Sequence, residues 1–410
     1  MPDDATTERV TVSRYDRRNA GQTGRYLVGP LANMDDSRAI RNRLQVIASQ
    51  GPQNRIGLIP DPSDTRWEFD RTTEAFVVTE GPAPDMTDPA RVIVDFPFPR
   101  SRPAPMHIHL AAPWLLLEFD HGLGGGRLIS KLIAAITSDS PGYAEPRAST
   151  VCTRPGLRAF VHEVRENPVA MLHALSEMGR RPNRPVANGS FTESRQLVYA
   201  RSDVHFLDKL RARRDTTSPT VTTLACVVSS ALKSLESVGI RAEPYVGVLV
   251  DLNRHLPPEV EALSNFQGVA PIAVSPPFGA VPIATALAEY TSGCRTLVRF
   301  GLANGRDMLR SGISHDVQRC ENRTATLTVS DHGESASRTI QWRSASDGLF
   351  LALAPLGSSN QISLVMGRVG SQLHLSASFF GSQFDRTLVE SALSRVVDIA
   401  DEVSAIGCCE

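Results

Sequence analysis

The sequence has little cysteine and no paired cysteine motif. Six cysteines occur in 410 residues, with no CxxC pair and no histidine at a spacing typical of zinc. We interpret them as reduced thiols of a cytoplasmic protein and expect no metal site. The six are Cys152, Cys226, Cys294, Cys320, Cys408 and Cys409.

Net charge and long apolar runs are also missing. The formal net charge is -1, which gives no electrostatic bias towards nucleic acid or an anionic membrane. No run reaches the roughly 20 apolar residues of a membrane span, and the polar start lacks the apolar core of a signal peptide. P-loop and Rossmann glycine fingerprints are absent. We therefore expect no membrane span, no nucleic-acid partner and no tightly bound cofactor.

The length of the chain predicts two domains, because 410 residues exceed what one core commonly organises. Residues 179–189 are rich in proline, glycine and arginine and lack large apolar side chains, which is typical of a linker. We expect an N-terminal domain over residues 1–185 and a C-terminal domain over residues 186–410.

One stretch, residues 114–128, has the pattern of a site. An apolar run typical of a buried strand stops at Asp120 and His121, and a helical apolar stripe of Leu128, Leu132 and Ile136 follows. Between them lie four glycines in five positions: Gly122, Gly124, Gly125 and Gly126. Glycine permits positive φ and close backbone approach to a ligand. We expect a strand, a turn and a helix, with His121 at the mouth of the turn.

Several flanking elements follow from the same patterns. An acidic start at 33–36 predicts a helix through Ala48, and residues 157–177 predict one amphipathic helix. Residues 91–96 and 106–110 are interpreted as strands of the sheet that delivers His121. His107 and His109 alternate on one strand face, so they are either two metal ligands or, on our preferred interpretation, partly exposed histidines.

Three later segments add polar groups after strands. They are residues 251–257 (DLNRHLP), 264–266 (SNF, followed by Gly268) and 329–333 (VSDHG). In this order, after residues 120–126 (DHGLGGG), they resemble the motifs of the superfamily that contains nonribosomal peptide condensation domains, polyketide-associated acyltransferases and chloramphenicol acetyltransferase. The resemblance runs across nearly the whole chain.

The resemblance implies an α/β fold of two chloramphenicol acetyltransferase-like lobes, arranged as a V-shaped pseudo-dimer with a tunnel between them. It implies an enzyme of natural product biosynthesis that forms an ester or amide from an acyl thioester. The donor would be acyl-CoA or an acyl-phosphopantetheine on a carrier protein, and the acceptor a small-molecule hydroxyl or amine. His121 takes the position of the catalytic base. A monomer is expected.

The remaining site residues are expected to shape the turn and the tunnel. They are Asp120, Gly122, Gly124, Gly125, Gly126, Arg254, Asn265, Ser330 and Asp331. Two of them depart from the HHxxxDG motif, since Asp120 replaces its first histidine and Gly125 its aspartate. In the family that aspartate pairs with the arginine matched by Arg254, so Arg254 needs another partner. Asp251, Asp120 and a substrate anion are the candidates, with Asp251 preferred.

The altered motif leaves three functions open. The first is acyl transfer with His121 as general base. The second is a repurposed scaffold that catalyses a cyclisation or another step without acyl transfer. The third is a domain that binds a carrier protein without chemistry.

Overall fold

A computed structural model describes residues 8–71, 75–98, 104–137, 150–151, 154–176, 194–217, 219–309, 324–333 and 340–398. The strands are β1 (Glu8–Thr11), β2 (Thr23–Gly29), β3 (Leu58–Ile59), β4 (Arg66–Phe69), β5 (Phe76–Glu80), β6 (Met106–Ala111), β7 (Trp114–Asp120), β8 (Thr150–Val151), β9 (Arg195–Arg201), β10 (Tyr245–Asp251), β11 (Val260–Glu261), β12 (Gln267–Ala273), β13 (Thr326–Asp331), β14 (Leu349–Leu353), β15 (Gln361–Val369) and β16 (Gln372–Phe380). The helices are α1 (Arg14–Asn19), α2 (Ser37–Ser49), α3 (Pro89–Asp95), α4 (Gly126–Thr137), α5 (Pro155–Glu166), α6 (Pro168–Ser176), α7 (Phe206–Thr217), α8 (Thr223–Ser237), α9 (Ala280–Ser292), α10 (Arg295–Leu309) and α11 (Arg386–Asp398). The predicted α/β class is confirmed.

Two large sheets organise these elements. One has the strand order β14-β2-β7-β6-β5, and the other has the order β12-β10-β13-β15-β16-β9. Each sheet has its own apolar core. The first sheet takes β14 from late in the chain, where Leu351 pairs with Leu27 of β2. The C-terminal half thus completes the sheet of the N-terminal half.

The strand, turn and helix predicted around His121 are confirmed. Leu115, Leu116 and Leu117 of β7 are fully buried, because the strand lies inside the sheet with both faces covered. The stripe of α4 predicted from Leu128 and Ile136 faces the same core. Helix α2 also begins as expected, with Asp36 accepting a hydrogen bond from the backbone N–H of Ala39 at 2.7 Å.

Two secondary-structure predictions are wrong. Residues 91–95 form part of helix α3 rather than a strand, and Phe96 is its C-cap, because Asp88 caps the helix at the Arg91 N–H and Pro89 occupies its first turn. The helix predicted over 157–177 is divided into α5 and α6 at Asn167, since Pro168 has no backbone N–H with which to continue α5.

His107 and His109 are buried, so the expectation of partly exposed side chains is wrong. The segment immediately after α3 covers both histidines. The ring centroids of Phe98 and His107 are 6.3 Å apart, and those of Phe96 and His109 are 4.8 Å apart. Nδ1 of His109 hydrogen-bonds the hydroxyl of Thr79 on the neighbouring strand at 2.9 Å. His109 therefore serves the packing of the sheet.

The predicted boundary at residues 185 and 186, with its linker at 179–189, lies outside the described residues and stays a prediction. Within the described part of the chain, none of the helices has the length and apolarity that crossing a membrane requires.

Candidate active site

His121 lies immediately beyond β7, at the point where that strand ends beside β2. Its backbone N–H donates to the carbonyl of Gln22 at 2.6 Å, next to the pairing of Thr23 with Asp120. Its ring stacks on Phe119 with centroids 5.9 Å apart. The sheet therefore fixes both the backbone and the ring plane of His121.

The environment of His121 keeps its imidazole neutral. Burial is the main cause that lowers its pKa to about 4, and the nearby His332 and Arg195 act in the same direction. The side chain is nevertheless only half-buried. At neutral pH this imidazole can accept a proton.

Close packing explains the glycines of the turn. A Cβ at Gly124 would lie 2.4 Å from the carbonyl oxygen of Leu263, and one at Gly122 would lie 2.9 Å from Cα of Ala20. A Cβ at Gly126 would meet the ring of His332 at 2.8 Å. None of the four turn glycines has positive φ, so the turn does not use the left-handed conformation that glycine permits. The close approach comes from other parts of the protein.

Gly125, which stands in the position of the motif aspartate, is less constrained. A Cβ there would lie 3.1 Å from Oε1 of Gln267, at the end of a flexible side chain. The described structure thus contains space for a small side chain at this position.

A buried ion pair lies beneath the turn. Asp16 is fully buried and its carboxylate lies 3.2 Å from the guanidinium of Arg55. The same carboxylate oxygen accepts the backbone N–H of Asn265 at 3.0 Å. Neither Asp16 nor Arg55 is a predicted site residue, because the capping box that contains Asp16 marks only a helix start and Arg55 belongs to no motif.

Arg55 and Asn265 hold the carbonyls of the turn. Arg55 donates from Nη2 to the carbonyl of Gly122 at 2.9 Å and from Nε to that of Leu123 at 2.7 Å. Asn265 donates from Nδ2 to the carbonyl of His121 at 2.7 Å. Three consecutive carbonyls are therefore fixed by two side chains that contact Asp16, which gives the predicted site residue Asn265 a positioning role.

Asp120 caps the start of the turn. Its two carboxylate oxygens accept the backbone N–H groups of Gly21 at 2.8 Å and Gly122 at 2.7 Å. Desolvation raises its pKa to about 6 against the opposing effect of these two hydrogen bonds. Asp120 thus closes the turn onto the segment before β2 and does not pair with Arg254.

Arg254 differs from the expectation for a buried arginine that has lost its partner. Its side chain is exposed, and its Nε lies 3.3 Å from Nε2 of His255. The preferred partner, Asp251, instead accepts hydrogen bonds from Arg127 at 2.5 and 3.1 Å. Asp251 acts on Arg254 only as a nearby negative charge that opposes the lowering of its pKa by desolvation.

The segment at 329–333 reaches the turn through His332. Ser330 lies in β13 opposite Val365, and Asp331 binds Arg368 at 2.9 Å, so these two predicted residues support the strand end. The His332 ring lies against Gly126 and 5.8 Å from the ring of Tyr26. Burial lowers its pKa to about 4 as well, although the side chain is half-buried. His332 belongs to the 329–333 segment but is not among the predicted site residues.

Solved structures match this architecture along nearly the whole chain. The first condensation domain of the calcium-dependent antibiotic synthetase is 13% identical with a TM-score of 0.60, covering 98% of this chain and 97% of that one. TRI3 trichothecene 15-O-acetyltransferase from Fusarium sporotrichioides is 6% identical with a TM-score of 0.57, covering 95% and 92%. The chain has the condensation-domain fold.

The expectation of two chloramphenicol acetyltransferase-like lobes is thereby confirmed. The nonribosomal peptide synthetase FmoA3, bound to α-methyl-L-serine-AMP, is 14% identical with a TM-score of 0.59 and is matched over 99% of this chain. This chain spans 46% of that synthetase, which is less than half its length. Comparison with protein-family models and with curated proteins finds no match.

Replacing Asp16 by Asn should strongly destabilise the protein. The change leaves the Arg55 guanidinium buried without its charge partner, which typically costs about 3–5 kcal/mol. Urea unfolding of the purified variant measures the effect. Glu68→Gln is the matched control, because the Glu68–Arg9 pair is exposed and should contribute about 0–1 kcal/mol. Equal losses in the two variants would contradict the bracing role of Asp16.

Adding one methyl group should distinguish two adjacent glycines. Gly124→Ala places Cβ against a backbone carbonyl and should lower the free energy of unfolding by about 1–3 kcal/mol. Gly125→Ala meets only the movable Gln267 side chain and should cost less. Thermal unfolding of the pair measures the difference, and a greater loss at Gly125 would contradict the packing described for the turn.

Proposed function

We propose that the chain is an acyltransferase of the condensation type that acts in natural product biosynthesis. It joins the acyl group of a thioester to a small-molecule hydroxyl or amine, with His121 as the general base. The observation that carries the proposal is the neutral imidazole of His121, fixed at the end of β7 within the condensation-domain fold. The fold is also that of an O-acetyltransferase, so ester and amide formation both remain within the proposal.

In the proposed role, Nδ1 of His121 carries the proton and Nε2 keeps the lone pair. Nδ1 is buried and has no hydrogen-bond partner within the described part of the chain. Asn265 holds the carbonyl of His121 and so orients the ring indirectly.

In the proposed reaction, Nε2 takes the proton from the acceptor hydroxyl or amine while that atom attacks the thioester carbonyl. The bond between the carbonyl carbon and sulfur then breaks, and the imidazolium returns the proton to the departing thiolate. The low pKa favours this second transfer, because an imidazolium in desolvated surroundings releases its proton readily.

We place the proposed tunnel where strands of the two large sheets end near each other. His121 and His332 lie immediately beyond β7 and β13, which belong to different sheets. Both side chains are half-buried, and burial lowers the pKa of each to about 4. The donor arm, from coenzyme A or a carrier protein, would reach His121 along the seam between these sheets.

Replacing His121 should abolish acyl transfer. Purified protein is incubated with acyl-CoA and acyl-pantetheine donors and with hydroxyl and amine acceptors, and free thiol and product mass are measured. His121→Ala should lower kcat/KM by at least about 100-fold. His173→Ala, at an exposed position of α6, is the matched control. Product formed by the wild type without release of thiol would contradict acyl transfer and favour the cyclisation alternative.

The pH profile of kcat/KM should show the lowered pKa of His121. Because the pKa of His121 is lowered to about 4, the neutral base persists as pH falls past the ordinary histidine value of about 6.5. We expect kcat/KM to fall only as pH approaches about 4. Folding stability falls over the same window, since the unfolded chain takes up the proton first. Activity is therefore measured in brief assays after a pH jump.

Protonation of Asp120 could also lower kcat/KM at acid pH, because the pKa of Asp120 is raised to about 6. The Asp120→Asn variant carries no charge at any of these pH values. A limb near pH 6 that disappears in this variant belongs to Asp120. A limb near pH 6.5 that persists in it contradicts the depressed pKa of His121.

A further inference from the structure

Three buried side chains with metal-binding atoms converge away from the glycine turn. They are Glu163 on α5, His255 after β10 and Cys294 between α9 and α10. One potential ligand atom from each lies within 4.8 Å of those of the other two. Their exposed fractions are 6%, 5% and 3%. The cluster thus combines carboxylate, imidazole and thiol ligands at an almost fully buried position.

The Glu163 carboxylate is the centre of the cluster. Its two oxygens accept Nδ1–H of His255 at 2.7 Å and the thiol of Cys294 at 3.4 Å. Asn167 adds a third donor at 2.7 Å. Among the described residues, its only ion-pair partner within 4.0 Å is His255. In the described part of the chain, no arginine or lysine lies within ion-pair distance of this buried carboxylate, and Arg254 acts on it only from further away.

We propose that Glu163, His255 and Cys294 bind a zinc ion. Thiolate, imidazole and carboxylate together suit Zn²⁺ and disfavour Mg²⁺ and Ca²⁺, which select oxygen ligands. Tetrahedral zinc, with ligand distances of about 2.0–2.3 Å, separates its ligand atoms by about 3.3–3.8 Å. The 3.4 Å between Cys294 and Glu163 already meets this spacing, and His255 moves outward from its 2.7 Å contact. Water takes the fourth position.

Protons and charge balance when zinc enters. The Cys294 thiol gives its proton to solvent, and Glu163 is already a carboxylate, so two negative ligands neutralise the ion. If His255 coordinates through Nδ1, its remaining proton moves to Nε2. That nitrogen now lies 3.3 Å from Nε of Arg254, another donor, so the exposed Arg254 side chain turns away into solvent. Binding zinc thus frees Arg254.

The position of the site gives zinc a structural role. Glu163 precedes the expected domain boundary, whereas His255 and Cys294 follow it. The ion would therefore tie α5 to α10 and to the turn that carries Asn253 and Arg254. No local spacing indicates this set, because Glu163 lies 92 residues from His255 and 131 from Cys294.

The test measures zinc on the intact chain. A variant with Cys408→Ser and Cys409→Ser removes the adjacent terminal thiols and is the reference protein. After treatment with a chelator and addition of Zn²⁺, native mass spectrometry should show one bound ion, and the melting temperature should rise. Cobalt in place of zinc should give a thiolate-to-metal charge-transfer band.

Cys294→Ser in the same background separates coordination from hydrogen bonding, because a serine hydroxyl can still donate to Glu163. This variant should fold, bind zinc at least about tenfold more weakly and lose the cobalt band. Cys226→Ser is the matched control, since Cys226 is another buried free thiol. Absence of a bound ion in the reference protein, or equal zinc affinity after Cys294→Ser, would overturn the proposal.

Discussion

The buried pair of Asp16 and Arg55 is the constraint on which the geometry of the site depends. Asp16 belongs to the capping box of α1, in which Ser13 and Asp16 bond each other's backbone N–H groups. Arg55 has a φ of 68°, a left-handed conformation that is uncommon for a residue with a side chain. That conformation follows a short 3-10 turn and directs the guanidinium beneath the glycine turn.

This arrangement uses the geometry of arginine. The guanidinium donates to two successive carbonyls and contacts a carboxylate, and it lies 5.7 Å from the ring of Trp67. Lysine could not reproduce it, because an ammonium group lacks the planar fork. Buried turn carbonyls need such donors, since an unpaired buried carbonyl is costly. The Asp16–Arg55 pair therefore satisfies the carbonyls of the glycine turn and positions His121 at the same time.

The local part of the site could be predicted from the sequence and the long-range part could not. The run ending at Asp120 and the stripe from Leu128 show their periodicity within a few residues, and both elements formed as expected. Asp16 meets Asn265 across 249 positions, and no local pattern connects them. The strand prediction for residues 91–96 is wrong for a related reason. A short apolar run fits either a strand or a helix, and the cap at Asp88 decides for the helix.

Resemblance to a motif was also a poor guide to which groups are paired. Matching Arg254 to a family arginine led to the expectation of a buried cation left without its aspartate, but Arg254 is exposed and Asp251 binds Arg127. Among the described residues, Asp16 and Arg55 form the buried ion pair beneath the turn. Replacement of the motif aspartate by Gly125 therefore removes no support that this turn requires. The altered motif is consequently weak evidence for a decayed site, since the carbonyls at 121–123 remain held and the imidazole remains neutral.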